Sequence, residues 1–177
     1  TDTWVRVLDG YLKTTKHDHA LMALYRLAED VGALQDARQY TDMTQALIIA
    51  GFGQEAERVM QKGIDASLFA GDEATRAKRT IDAAKRKADA ERAALPKAAS
   101  ALAAAKTGNE MEKVGELYFS AGDYVNASAA LQKAVAKGGL SDADSAQMLL
   151  GIALKRKGDK ANATKAFDLV KEPQFAE

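Results

Sequence analysis

The sequence predicts an all-α fold assembled from stacked antiparallel helix pairs, and three observations lead there. First, the chain repeats itself: "GELYFSAGDYVNASAALQKAVAKGG", beginning at Gly115, returns as "GIALKRKGDKANATKAFDLV", beginning at Gly151. Gly151 then answers Gly115, Gly158-Asp159 answers Gly122-Asp123, Ala163 answers Ala127 and Phe167 answers Leu131. A period of this length marks an array of supersecondary units rather than one globular centre. Second, the turn chemistry is helical, with glycine tolerating the left-handed conformation and aspartate ready to accept orphan amide bonds as an N-cap. Third, the chain is 47% hydrophobic but only 6% aromatic, a composition suited to thin, closely packed helices and incompatible with disorder.

In chain order, the first repeat is "WVRVLDGYLKTTKHDHALMALYRL", with Leu8, Ala20 and Leu27 at the key places, and Asp18 as its turn signal. The second is "MTQALIIAGFGQEAERVMQKGI", with Thr44, Ala56 and Gly63 there and Gly51-Phe52-Gly53 at the turn. Leu8 to Thr44 is 36 residues, Thr44 to Gly115 is 71 and Gly115 to Gly151 is 36, so the middle gap conceals one degenerate repeat. A helix-interior glycine costs roughly 1 kcal/mol relative to alanine, which makes Gly115 and Gly151 informative. Small side chains where two helices cross let the backbones approach, and Ala127 and Ala163 are expected to supply the facing small surface. The predicted organisation is two N-terminal repeats over 1–70, an Ala-rich central segment over 71–107, and two C-terminal repeats over 108–177.

The central stretch, "GDEATRAKRTIDAAKRKADAERAALPKAASALAAAKTG", carries no internal turn signal. Ala74, Ile81, Ala88, Leu95 and Leu102 recur every seventh residue, with Ala77, Ala84, Glu91, Ala98 and Ala105 between them, and the phase holds across Pro96. One long helix kinked at Pro96 is favoured; the rival reading makes Pro96 the first residue of a new helix. Eight basic residues lie between Arg76 and Lys97, interleaved with Asp82, Asp89 and Glu91, a pattern that suits a solvated helix face.

These residues resemble the tetratricopeptide repeat (TPR) family, whose pattern is met by Trp4, Tyr11 and Ala20 in the first repeat and by Gly115, Tyr118, Tyr124, Ala127 and Ala134 in the fourth. Leu8 and Thr44 stand where the family has glycine, Leu27, Gly63 and Val170 where it has its second alanine, and Gly32 and Gly139 where it has its closing proline. The wording of "ALMALYRLAEDVGAL" and "GDKANATKAFDLV" also resembles exported bacterial TPR proteins, which implies a periplasmic or exported location. The resemblance implies a right-handed α-superhelix, a solenoid of antiparallel helix pairs, whose first helices line a concave ligand groove. Carried over residue by residue, that groove comprises Val5, Asp9, Leu12, Lys13, Thr41, Gln45, Ile48 and Ile49, then Glu112, Glu116 and Phe119, then Met148, Ile152, Lys155 and Arg156. Family members that dock chaperone tails clamp a terminal carboxylate with a lysine and asparagine set. Only Lys13 survives among the corresponding Val5, Asp9, Lys13, Thr41 and Gln45, which disfavours that partner.

The expected function is therefore a non-enzymatic scaffold that holds another protein, as a peptide or amphipathic helix, with Ile48, Ile49, Phe119 and Ile152 buried against its apolar face. The alternative is a helical array associated with an anionic polymer, RNA or polysaccharide, through the basic central helix; such binding would fall steeply with salt. Equal numbers of acidic and basic residues, 25 of each, speak against nucleic acid. Catalysis has little footing. There is no cysteine, no phosphate-binding loop and no zincin motif, and His17 and His19 flank Asp18 in an expected turn. No cofactor or metal is expected, and no stretch approaches the roughly 20 apolar residues of a membrane span. Asn126-Ala127-Ser128 and Asn162-Ala163-Thr164 match the glycosylation sequon but are expected simply as exposed helix starts. The opening at Thr1 reads as that of an excised or processed piece, so Trp4 and Phe175 are candidates for uncovered apolar surface and for self-association through uncapped ends.

Overall fold

The structure, a computed structural model, describes residues 2–14 and 18–170, with side chains for 5–12 and 21–170. The described residues are helical, without a strand among them. By contacts the chain divides into two compact halves, Thr1–Ala90 and Glu91–Glu177, a division that falls inside the central segment.

The first half holds α1 (Asp2–Thr14), α2 (Asp18–Asp30), α3 (Ala37–Ala50), α4 (Gly53–Asp65) and most of α5 (Asp72–Ala94). Asp36 caps α3 by accepting the Gln39 amide at 2.9 Å, and Gly51 ends it in the left-handed region at φ +88°. The α3–α4 pair is antiparallel: Thr44 faces Met60, with Oγ1 3.7 Å from Sδ, while Tyr40 faces Gly63, where an added Cβ would lie 2.9 Å from the ring. Gly53 brings the start of α4 against α5 itself, since a Cβ there would come within 2.5 Å of the Ala88 amide. Met60, Ala77 and Ile81 form a core cluster with Ile64 and Phe69 packed on it.

The second half continues from the end of α5 through a 3-10 turn, Leu95–Lys97, into α6 (Ala98–Ala104), then α7 (Gly108–Ser120), α8 (Tyr124–Lys137), α9 (Ala143–Arg156) and α10 (Lys160–Asp168). Pro96 interrupts the α-helical ladder because it lacks an amide hydrogen. Ala94, Lys97 and Ala98 nevertheless keep right-handed helical dihedrals, and the Ala98 amide bonds to the Leu95 carbonyl in the tighter 3-10 pattern. Ala77, Ile81, Ala84, Ala88 and Ala98 of the expected heptad are buried, and Glu91, Leu95, Leu102 and Ala105 half-buried; only Ala74 is exposed.

Gly115 and Gly151 sit at helix crossings. A Cβ on Gly115 would lie 2.7 Å from Leu131 Cγ, and one on Gly151 2.6 Å from Phe167 Cδ1. The atoms nearest each glycine belong to the large residue 16 positions later rather than to Ala127 or Ala163, both of which are buried. The turns behave as their residues require. Gly122 and Gly158 take φ of +81° and +94°, and Asp123 and Asp159 cap the next helices by accepting the Asn126 and Asn162 amides. The two sequon asparagines are more than exposed helix starts, for each returns a side-chain bond to its aspartate, Asn126 Nδ2 at 2.6 Å and Asn162 Nδ2 at 2.9 Å.

Candidate functional site

On α3 the buried residues Tyr40, Met43, Thr44 and Leu47 follow the i, i+3, i+4, i+7 spacing of one face. Gln45 and Ile49 consequently point away from the core, with Ile48 half-buried at its edge. Ile49 is 87% exposed, the most exposed large hydrophobic side chain among the described residues. On α1, Val5, Asp9 and Leu12 are half-buried while Val7 and Tyr11 are exposed, and Gln39 of α3 donates to Asp9 at 3.5 Å. Thr41 of the same surface is half-buried and donates its hydroxyl to the Ala37 carbonyl. The side chain of Lys13 lies outside the described residues, as do His17 and Phe175 and the side chains of Trp4, Asp18 and His19.

In the second half, Glu112, Glu116, Met148 and Lys155 are half-buried, but two expected lining residues prove to be core. Phe119 is 0% exposed and Ile152 7%. Phe119 belongs to a cluster formed across three helices. Arg156 of α9 donates to the Tyr124 hydroxyl at 3.1 Å and stacks 5.4 Å from the Phe119 ring, and Tyr124 meets Phe119 edge-on at 5.3 Å. A ring enclosed by a phenol and a guanidinium is not open to a ligand, and Arg156 is itself committed to holding α7, α8 and α9 together.

A second polar cluster went unread in the sequence. Arg26 of α2 pairs with Glu55 of α4 through Nε–Oε1 at 3.0 Å and Nη2–Oε2 at 2.6 Å, with side chains 6% and 1% exposed. The guanidinium also stacks 4.5 Å from the Phe52 ring. The bidentate geometry compensates for burying both charges, so the site is saturated by its own groups. The basic face of α5 is mixed: Arg76, Lys78, Arg79, Lys85, Arg86 and Lys87 are exposed beside equally exposed Asp82 and Asp89. Among the described residues no group of three or more His, Asp or Glu is placed to hold a metal ion.

The sequence reading also missed an open groove of about 290 Å³ inside the second half. One wall is Ala94, Lys97, Ala98 and Ala101; the other is Lys113, Val114 and Leu117 of α7. Spacings of four and seven from Ala94 were the available signal, since they set three alanines on one stripe. The walls are held in register at both ends. Ser120 donates to Glu91 at 2.7 Å at one end. At the other a capping box starts α7, with Thr107 Oγ1 accepting the Glu110 amide and Glu110 Oε2 accepting the amides of Lys106 and Thr107. Those backbone bonds, from Lys106 foremost, hold the Glu110 carboxyl below the usual carboxylate range. Comparison with family models, curated proteins and solved structures finds no match to this chain.

Proposed function

We propose that the chain is a non-enzymatic protein-binding scaffold, each half a stretch of TPR-like helix pairs that presents first-helix side chains to a peptide or helix of another protein. The repeating helix-pair geometry supports this reading. Thr44–Met60, Gly115–Leu131 and Gly151–Phe167 are the same contact made three times, a small residue meeting a large one 16 positions on. Such units stack through neighbours and leave one face for ligands. The observation that carries the function is Ile49: an isoleucine 87% exposed on a well-formed first helix serves no core, and beside Gln45 and Ile48 it offers an apolar contact with a polar edge. Phe119 and Ile152 are left out of the binding surface.

The test compares immobilised wild-type protein with Ile49→Glu and with Lys133→Glu, a control at an exposed α8 position, by quantitative proteomics of captured proteins at low and high salt. The scaffold reading expects a partner retained by wild type and control, lost by Ile49→Glu, and insensitive to salt while helicity stays constant. A capture profile identical in all three proteins refutes it.

A further inference from the structure

We propose that the groove between α6 and α7 is a seat for the apolar face of an amphipathic helix flanked by carboxylates. This goes beyond the α3 surface, because it involves other residues in the other half of the chain. The argument starts from side-chain size. Ala98 is buried at the base of the groove while Ala94 and Ala101 are exposed, so among the described residues this wall is an alanine surface left open on its outer side. Opposite it, Val114 is buried and Leu117 half-buried, giving a floor of branched carbons. Elsewhere in this half a small residue at a crossing is filled by a large one, Gly115 by Leu131 and Gly151 by Phe167; here, among the described residues, the alanines face Val114 and Leu117 across open space.

A helix fits the vacancy because small residues permit backbone approach at the 8–10 Å of packed helices. Ala94 to Ala101 spans seven residues, about 10 Å of helix rise, which accommodates two successive knobs of an incoming i, i+4 ridge. The charge follows from the rim. Lys97 and Lys113 are exposed, one on each wall, and neither ammonium forms an ion pair or hydrogen bond among the described residues, although Lys113 acts electrostatically on Glu110. Lysine stems can lie along apolar surface while the heads stay in water, so a docked helix would find cations on both flanks and place carboxylates against them. An acyl chain satisfies the same apolar floor but prefers an enclosed tunnel, and this groove is open to solvent rather than enclosed.

The test uses the full chain and fluorescein-labelled synthetic 18-residue helices read by anisotropy. One carries leucines at i, i+4, i+7 and i+11 with glutamates on both flanks; the second replaces the glutamates with lysines; the third replaces the leucines with serines. The glutamate peptide is expected to bind at least tenfold more tightly than the lysine peptide, and the serine peptide not at all. Lys97→Glu/Lys113→Glu should reverse that charge preference. Ala101→Trp, made at an exposed position, should fill the groove and abolish binding, whereas Ile49→Glu should leave it unchanged. Equal affinity for the two charged peptides, or full binding by a folded Ala101→Trp protein, overturns the proposal. So does displacement of the glutamate peptide by dodecanoate at concentrations below its micelle threshold, which would make the groove a lipid seat. Self-association of the wild type that Ala101→Trp abolishes also overturns it, since the occupant would then be a second copy. Loss of binding on Ile49→Glu but not on Ala101→Trp would locate the peptide on α3 and sink this inference alone.

Discussion

Gly151→Ala should destabilise the protein even though alanine is the better helix former. In an unconstrained helix interior the change gains roughly 1 kcal/mol. At this crossing the new methyl would lie 2.6 and 2.8 Å from Phe167 Cδ1 and Cζ, against about 3.5–4.0 Å for a relaxed carbon contact. The ring must move by about 1 Å or α9 and α10 must separate, and overpacking of this kind typically costs about 1–3 kcal/mol. The net expectation is a loss of up to about 2 kcal/mol, or roughly 2–4 °C of melting temperature per kcal/mol in a chain of this size. Gly10→Ala is the internal control: Gly10 lies inside α1, and a Cβ there meets nothing within 4 Å. It should gain about 0.5–1 kcal/mol. Urea titration followed by far-UV circular dichroism measures both, and the cycle with Phe167→Ala measures the coupling, expected to be at least about 1 kcal/mol. If Gly151→Ala stabilises equally with and without Phe167, the crossing exerts no steric demand and the packing argument for the repeat fails.

Arg26→Met leaves Glu55 buried without its bidentate partner and should lose about 3–5 kcal/mol, most of it recovered in Arg26→Met/Glu55→Met because two apolar groups need no pairing; denaturant midpoints of the two variants decide. Asp123→Ala removes the side-chain cap of α8 and should lose about 1 kcal/mol in the same assay. Glu110 and Asp159 have carboxyls held below their ordinary range, by the Lys106 and Thr107 amides and by the Asn162 side chain respectively. Their stabilisation is therefore present above the unfolded-state values and lost as pH falls through the lower folded ones, so the fall in urea midpoint below about pH 4 should be shallower in Glu110→Gln. Burial, with a smaller contribution from Asp42, pushes the Tyr25 phenol up to about 12. Folded protein should thus lose stability as pH rises from about 10, where the unfolded phenol ionises, towards 12, and Tyr25→Phe should abolish that portion of the loss.

Local chemistry was legible wherever one residue type answers one backbone requirement. Gly122-Asp123 and Gly158-Asp159 announced left-handed turns followed by caps, and both behave so. The heptad positions from Ala77 to Ala88 announced a buried face, because period and burial coincide along one uninterrupted helix. Pairing at long range was less legible. The repeat marked Gly151 and Phe167 as special without showing that they meet, since contact depends on the turn length that sets the antiparallel register. Arg26 and Glu55 are 29 residues apart on helices whose own periodicity treats each as an ordinary polar position. Phe119 was misplaced for a related reason: its position in the repeat describes an exposed helix face, and its burial comes from Tyr124 and Arg156, the latter a helix pair later.

The central segment shows why composition shapes function here as much as motif does. Alanine has the highest helix propensity and almost no volume, so a stretch such as Ala98–Ala104 can hold a helix without supplying knobs to fill what lies beside it. Its larger apolar residues, Leu95 and Leu102, fall on the heptad seam with Glu91, Ala98 and Ala105. The stripe through Ala94, Ala98 and Ala101 is left with methyl groups against Val114 and Leu117. A larger side chain at position 101, which is exposed, would narrow that space. The open groove is thus a consequence of which residues carry volume rather than of any constraint from the backbone. On the proposal above, that same choice, small residues with a lysine on each wall, is what would favour a glutamate-flanked helix over a lysine-flanked one.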